Sequence, residues 1–197
     1  MSGIRYVLAS ASPRRKEILS SMGLEYEVMA ASVEEITDKT RPEEMVMDLS
    51  GLKAEATASL LDRDRDSLII AADTLVWHEG KALGKPADEE EAYAMLKSLG
   101  GKSHSVYTGV TLIAFFGRER YEDVFYDCSK VTIREMSDEE IRAYIACGEP
   151  MDKAGAYAIQ GVFSKYIEAF EGSYNNVVGL PSELLKIHLE EMTKRRI

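Results

Sequence analysis

The chain reads as a single α/β domain, residues 1–197, built on a mixed and strongly twisted central sheet flanked by helices. Three observations predict that class. Short apolar runs alternate with amphipathic stretches in the order strand, helix, strand, helix, strand through the first half. Two long strand-like segments then flank the polar turn "GRER", which calls for an antiparallel pair. No repeat, linker or low-complexity tract interrupts the 197 residues, and a hydrophobic content of 45% suffices for a buried core.

Taken in order, residues 4–9 form an apolar strand that runs into Ser10, Ala11, Ser12 and Pro13. Proline gives up no hydrogen bond at a first helical position, and Ser12 is placed to cap the amides behind it, so a helix is predicted over 13–22, stopped by Gly23. Residues 25–30 make a second short strand, "SVEEITDKT" a loop, and Pro42 opens an amphipathic helix to about Leu61. "SLIIAADTLVWHEGKALGKP" is a strand with a hairpin around Glu79 and Gly80. "DEEEAYAMLKSLGG" is a helix with an acidic first turn and a glycine stop. Strands over 104–116 and 121–134 follow, then the capped helix "SDEEIRAYIACG", a glycine-rich stretch, a strand near 163–170, and a last helix opened by Pro181.

The charge balance, 24 basic against 34 acidic residues, gives −10. Such a chain is poorly suited to non-specific nucleic-acid binding, which rests on neutralising phosphates. No apolar run approaches the ~20 residues that span a bilayer, and the first residues carry no signal-peptide pattern, so a cytoplasmic protein without membrane partners is expected. Cys128 and Cys147 are too few and too loosely spaced for a disulfide framework or a zinc site, and are expected as small buried residues.

Four stretches hold the chemistry. Arg14, Arg15 and Lys16 stand in the first turn of a helix, where the dipole disfavours cations. Either they form a solvated face, or they serve an anion at a strand–turn–helix junction, most simply a phosphate. Asp73 is the sole ionisable group in "LIIAADTLVW", and a carboxylate there is costly unless paired, hydrogen-bonded or metal-bound. It either caps a turn at a strand end or acts chemically, with Lys85 of "LGKP" nearby on the same sheet edge. Glu34 and Glu35 lie in a loop, as a surface charge run or as a source of one ligand for a hard divalent cation. In "GEPMDKAGAYAIQG" small residues frame Asp152, Lys153, Tyr157 and Gln160, a set suited either to a solvated turn or to holding a sugar or base. "GSYNNVVGLP" is read as an architectural turn. His78, His104 and His188 show no metal spacing and are taken as ordinary polar or packed residues. No nucleophile elbow, Walker A sequence or dinucleotide fingerprint is present, so any phosphate chemistry uses another cradle.

Together "LASASPRRKEIL", "SVEEI", "LKAEA", "AADTLV", "GKP", "YTGV", "GEPMDKAGAYAIQG" and "GSYNNVVGLP" make the chain resemble, over nearly its whole length, the Maf family of nucleoside triphosphate pyrophosphatases, once called septum formation inhibitors. Arg14, Thr74 and Gln160 are similar to the dTTP/UTP branch; the branch acting on 7-methyl-GTP would carry Trp, Gln and Glu there. The resemblance implies a fold like that of the inosine triphosphate pyrophosphatases and hydrolysis of dTTP, UTP and modified pyrimidine nucleotides to monophosphate and pyrophosphate, a house-cleaning role. It implies that Ser10, Arg14, Arg15, Lys53 and Lys85 bind the triphosphate, with Lys153 a further cation there. Asp73 would be the water-activating carboxylate, and Glu35 would join it in catalysis and in holding Mg²⁺ or Mn²⁺. A homodimer is compatible with it. A non-catalytic nucleotide-binding regulator of septation and an inosine or xanthosine triphosphate pyrophosphatase are the alternatives. The chain departs from the family pattern at Ser50, where Ala is expected, and at Ser129 and Ile133, where Thr and Phe are usual.

Overall fold

The computed structural model describes residues 3–196. Its strands are β1 (Arg5–Leu8), β2 (Tyr26–Val28), β3 (Ser67–His78), β4 (Lys81–Leu83), β5 (Ser103–Phe116), β6 (Glu119–Ile133) and β7 (Ile167–Glu171). Its α-helices are α1 (Pro13–Ser21), α2 (Pro42–Leu60), α3 (Glu89–Leu99), α4 (Asp138–Ile145), α5 (Tyr174–Val178) and α6 (Ser182–Thr193). The strands join in one mixed sheet of order β2-β1-β3-β5-β6-β7, with β4 paired to β3 off this path. β1 is parallel to both β2 and β3, whereas β3–β4 and β6–β7 are antiparallel. The class predicted from the sequence is the class observed.

Two compact units divide the chain. The first holds residues up to Asp73, Thr108–Asp127 and the segment from Gly179; the second holds Thr74–Tyr107 and Cys128–Val178.

In the first unit, strand alternation puts Ile69, Ala71 and then Asp73 on one face of β3, and Gly109, Thr111, Ile113 and Phe115 on one face of β5. Val7, Ala9, Ile69, Ala71, Ile113 and Phe115 pack there against Ala54, Ala58 and Leu61 of the α2 segment. Val46, Ser50, Ala54, Thr57 and Ala58 are the buried helical stripe. A glycine is required at 109: a Cβ there would lie 2.4 Å from the carbonyl carbon of Val46, so α2 rests its backbone on β5. Ser50, the departure from the family pattern, is accommodated by a buried hydroxyl pair with Thr111 at 2.8 Å and by donation to Met47 O.

In the second unit, α3, α4, the start of β5 and the end of β6 enclose Met95, Leu96, Leu99, Val106, Val131, Ile133, Ile141, Tyr144, Phe163 and Tyr166. Both helices start on side-chain caps: Asp88 Oδ1 accepts from Glu91 N at 2.8 Å, and Ser137 with Glu140 forms a reciprocal capping box. Arg134, and then the Ser137 amide, hold Glu140 down to about 2. The hairpin at Glu79 and Gly80 has positive φ at both residues, the geometry a two-residue turn needs.

Four local expectations are corrected. Ser12 makes no side-chain cap; instead Ser10 Oγ accepts from Ser12 N at 3.2 Å, which serves the turn before α1. The strand expected near 163–170 starts at Ile167, because Gly161–Tyr166 winds into a 3-10 turn that buries Phe163 and Tyr166 three residues apart. α5 lies within the stretch expected to be only a turn. Cys128 and Cys147 are exposed rather than buried. No helix among the described residues is long and apolar enough to cross a membrane.

Candidate functional site

Asp73 stands inside β3 rather than at a strand end. The pairing of β3 with β1 ends at Ile70, and its pairing with β4 begins at Val76. The carboxylate therefore lies in the five-residue stretch between the pairings with β1 and with β4, on the face that alternation gives to α2. It is 8% exposed, and its partner is Lys53: Nζ donates to Asp73 Oδ1 at 2.6 Å. Lys53 lies seven residues after Val46 on α2, two helical turns from the contact with Gly109, so the same stripe that packs the helix aims this lysine at Asp73. The ammonium also meets Glu35 Oε2 at 3.0 Å. Glu35, from the loop before α2, keeps 55% of its side chain exposed, against 15% for Lys53.

The turn before α1 supplies the adjoining group. Arg15 Nη1 donates to Ser10 Oγ at 3.2 Å, and its Nε donates to the carbonyl of Gly179 at 2.9 Å. Burial lowers the Arg15 pKa, Asp73 opposes that, Arg14 adds to it, and Glu35 opposes it again. The guanidinium thus senses both carboxylates and its own neighbour. Arg14 and Lys16 are half-buried on the same helix. Ser10, Arg15, Glu35, Lys53 and Asp73 are gathered within the first unit; Glu34 is exposed beside Glu35.

The second unit holds Thr74, Lys85, Lys153 and Gln160. Thr74 and Gln160 are half-buried, and Lys85 is exposed on the loop after β4. Gly155 N donates to Gly84 O at 2.9 Å, which ties the loop of Lys85 to the stretch carrying Lys153 and Gln160. Gly155 has φ +67 and sits where a Cβ would be 2.9 Å from Val76, so the tie needs glycine. Lys153 Nζ donates to Glu149 O at 3.2 Å and pairs with Asp152.

One contributor escaped the sequence reading, while His104 is the packed residue it expected. The Gly179 carbonyl holds Arg15 from 164 residues away, and no local pattern announces it. His104 is buried and hydrogen-bonded to Tyr157 Oη at 2.6 Å, three residues before Gln160. Burial first, then His78, lowers His104 to about 4, and burial raises the Tyr157 phenol.

Among the described residues no group of three or more His, Cys, Asp or Glu side chains is placed to hold a metal ion. Two carboxylates converging on one cationic nitrogen do fit a hard ion such as Mg²⁺, which takes one or two carboxylates and fills its other positions with water and phosphate oxygens.

A mixed α/β sheet thus gathers two carboxylates, two cations and a hydroxyl around a helix start, a cluster of paired opposite charges. Residues 5–192 match the family model described as Maf, Maf-like protein, and the chain belongs to that family. It is 47% identical over 197 residues to a protein of Agathobacter rectalis named dTTP/UTP pyrophosphatase, covering 94% of this chain and 96% of that one. A protein of the same name from Caldicellulosiruptor bescii is 49% identical over 190 residues, covering 95% and 94%. A solved structure of a HAM1 protein from Coxiella burnetii superposes with a TM-score of 0.49 at 14% identity, over 96% of this chain and 100% of that one.

Proposed function

We propose that this chain is a metal-assisted nucleoside triphosphate pyrophosphatase that hydrolyses dTTP and UTP to the monophosphate and pyrophosphate. The observation that carries the reading is the cluster in which Lys53 joins Asp73 at 2.6 Å and Glu35 at 3.0 Å beside the Ser10–Arg15 pair. The names of the relatives support the substrate class.

Ser10 Oγ, Arg15 and Lys53 bind phosphate oxygens, with Arg14, Lys85 and Lys153 as further cations. Asp73 accepts the proton of a water aligned with the α-phosphorus. The water oxygen bonds to that phosphorus, and the bond to the bridging oxygen breaks with its electron pair leaving on pyrophosphate. Cations placed around the leaving group stabilise its developing charge. Glu35 and Asp73 would hold a divalent cation, Mg²⁺ or Mn²⁺, which when bound supplies neutralisation of phosphoryl charge. Gln160 offers a base edge both a donor and an acceptor, and with Arg14 and Thr74 forms the specificity set.

The test is kcat/KM across UTP, dTTP, ATP, GTP, ITP and 7-methyl-GTP with Mg²⁺ or Mn²⁺, scored for monophosphate and pyrophosphate. Preference for UTP and dTTP is expected, and Gln160→Glu should depress UTP hydrolysis more than activity on a guanine triphosphate, since an ionised carboxylate only accepts hydrogen bonds. Equal rates on purines and pyrimidines overturn the substrate assignment; nucleotide binding without turnover overturns the enzyme.

A further inference from the structure

We propose that Lys53 is an interlock: its ammonium holds the Glu35 and Asp73 carboxylates together in the nucleotide-free enzyme, so that a divalent cation gains both only when a triphosphate draws the lysine away. The proposal rests on the reading of Glu35 and Asp73 as the ligands of that cation.

The geometry is specific. One nitrogen lies 2.6 Å from Asp73 Oδ1 and 3.0 Å from Glu35 Oε2, so the two oxygens are no farther apart than the sum of those distances. An ammonium at that point occupies the space between the two oxygens that a dication drawing on both would need. Both positive centres cannot share it, because like charges in a largely buried site repel strongly. The Lys53 side chain is only 15% exposed and Asp73 only 11%, so water screens the competition weakly.

Lysine, unlike a fixed ligand, can yield. Its charge is a point on a flexible four-carbon stem, free to turn toward a new anion without moving α2. Arg15, which holds Ser10 Oγ at 3.2 Å, lies within electrostatic reach of Asp73 and Glu35. A phosphate chain held there offers the ammonium the replacement anion. Nucleotide and metal then raise each other's affinity, as linkage requires. The free enzyme keeps its carboxylates neutralised and binds stray dications weakly.

Mn²⁺ alone is the probe, its binding to the full chain measured by electron paramagnetic resonance without nucleotide. Lys53→Met should bind Mn²⁺ at least about tenfold tighter than the parent, given the size of close charge–charge terms. Lys53→Gln is the second variant, and thermal unfolding confirms that each is folded. Lys16→Met removes the same charge from α1 without touching either carboxylate and should stay within about twofold of the parent. Asp73→Asn added to Lys53→Met should abolish the gain. If neither Lys53 variant tightens binding while Asp73→Asn still weakens it, the interlock is wrong and the ligand reading stands. If Asp73→Asn changes Mn²⁺ binding in neither background, the ligand reading fails and takes the interlock with it.

Discussion

Replacing Asp73 by Asn isolates the role of one charge. The amide keeps the shape of a side chain that is 11% exposed, and its oxygen still accepts from Lys53 Nζ, which stands at 2.6 Å in the parent. What disappears is the negative charge, and with it the capacity to take a proton from water. Lys53 is not stranded, because Glu35 remains at 3.0 Å. The loss of stability is therefore well below the ~3–5 kcal/mol of leaving a buried charge alone, and about 1–2 kcal/mol is expected, the difference between a charge-assisted and a neutral hydrogen bond. Loss of a general base costs about 10²–10⁴ in turnover, equivalent to roughly 3–5 kcal/mol of barrier. The two effects separate cleanly by assay: kcat with UTP falls by that factor while thermal unfolding shifts by a few degrees. A purified variant within a few-fold of the parent kcat would show that Asp73 only anchors Lys53, and the mechanism would have to be abandoned.

Two further outcomes are expected. His104 is drawn from 6.5 to about 4 by burial and then by His78, so the unfolded chain takes up a proton that the folded one refuses; stability is complete above pH 6.5 and falls by a total of about 3 kcal/mol as pH drops toward 4. His104→Gln should flatten that decline in thermal unfolding recorded from about pH 7 to about pH 4.5, and an unaltered slope assigns it to other groups. Gly109→Ala puts a methyl 2.4 Å from the Val46 backbone, so overpacking should cost about 1–3 kcal/mol and, because Lys53 rides on the displaced helix, lower kcat as well; an unchanged unfolding temperature refutes the close approach of α2 to β5.

The elements legible from the sequence are those whose determinants are local. Pro13, Pro42, Asp88 and Ser137 mark helix starts, Gly23 and Gly100 mark helix stops, and Glu79-Gly80 marks a hairpin, all within a few residues of the boundary concerned. Phe163 and Tyr166 misled because an apolar run of that length suits a strand as well as a 3-10 turn; only their burial within the second unit decides. Asp73 was conspicuous as a carboxylate among apolar residues, yet its partner was not deducible from spacing. Lys53 becomes its neighbour through the packing of α2 on β5, which depends on a glycine 56 residues later. The exposure of Cys128 and Cys147 likewise depends on which strand face and helix face the core takes, and their residue type alone pointed the other way.

The cations in the first turn of α1 raise an energetic problem whose solution lies outside that helix. A helix start is partly positive, so Arg14 and Arg15 should be unwelcome there. The structure sets the cost against three compensations: Ser10 Oγ and the Gly179 carbonyl accept from Arg15, and Asp73 and Glu35 favour its charge. Lys53 meets the same two carboxylates directly. The cluster is thus a set of mutually compensating ions, and an anion or a dication entering alone would disturb that compensation. On the proposed reading, a triphosphate arriving with its metal would bring both signs at once: phosphate oxygens for Arg15 and Lys53, and a dication for Glu35 and Asp73. The same balance that makes the helix start tolerable would, on that reading, favour a metal–nucleotide pair over either component.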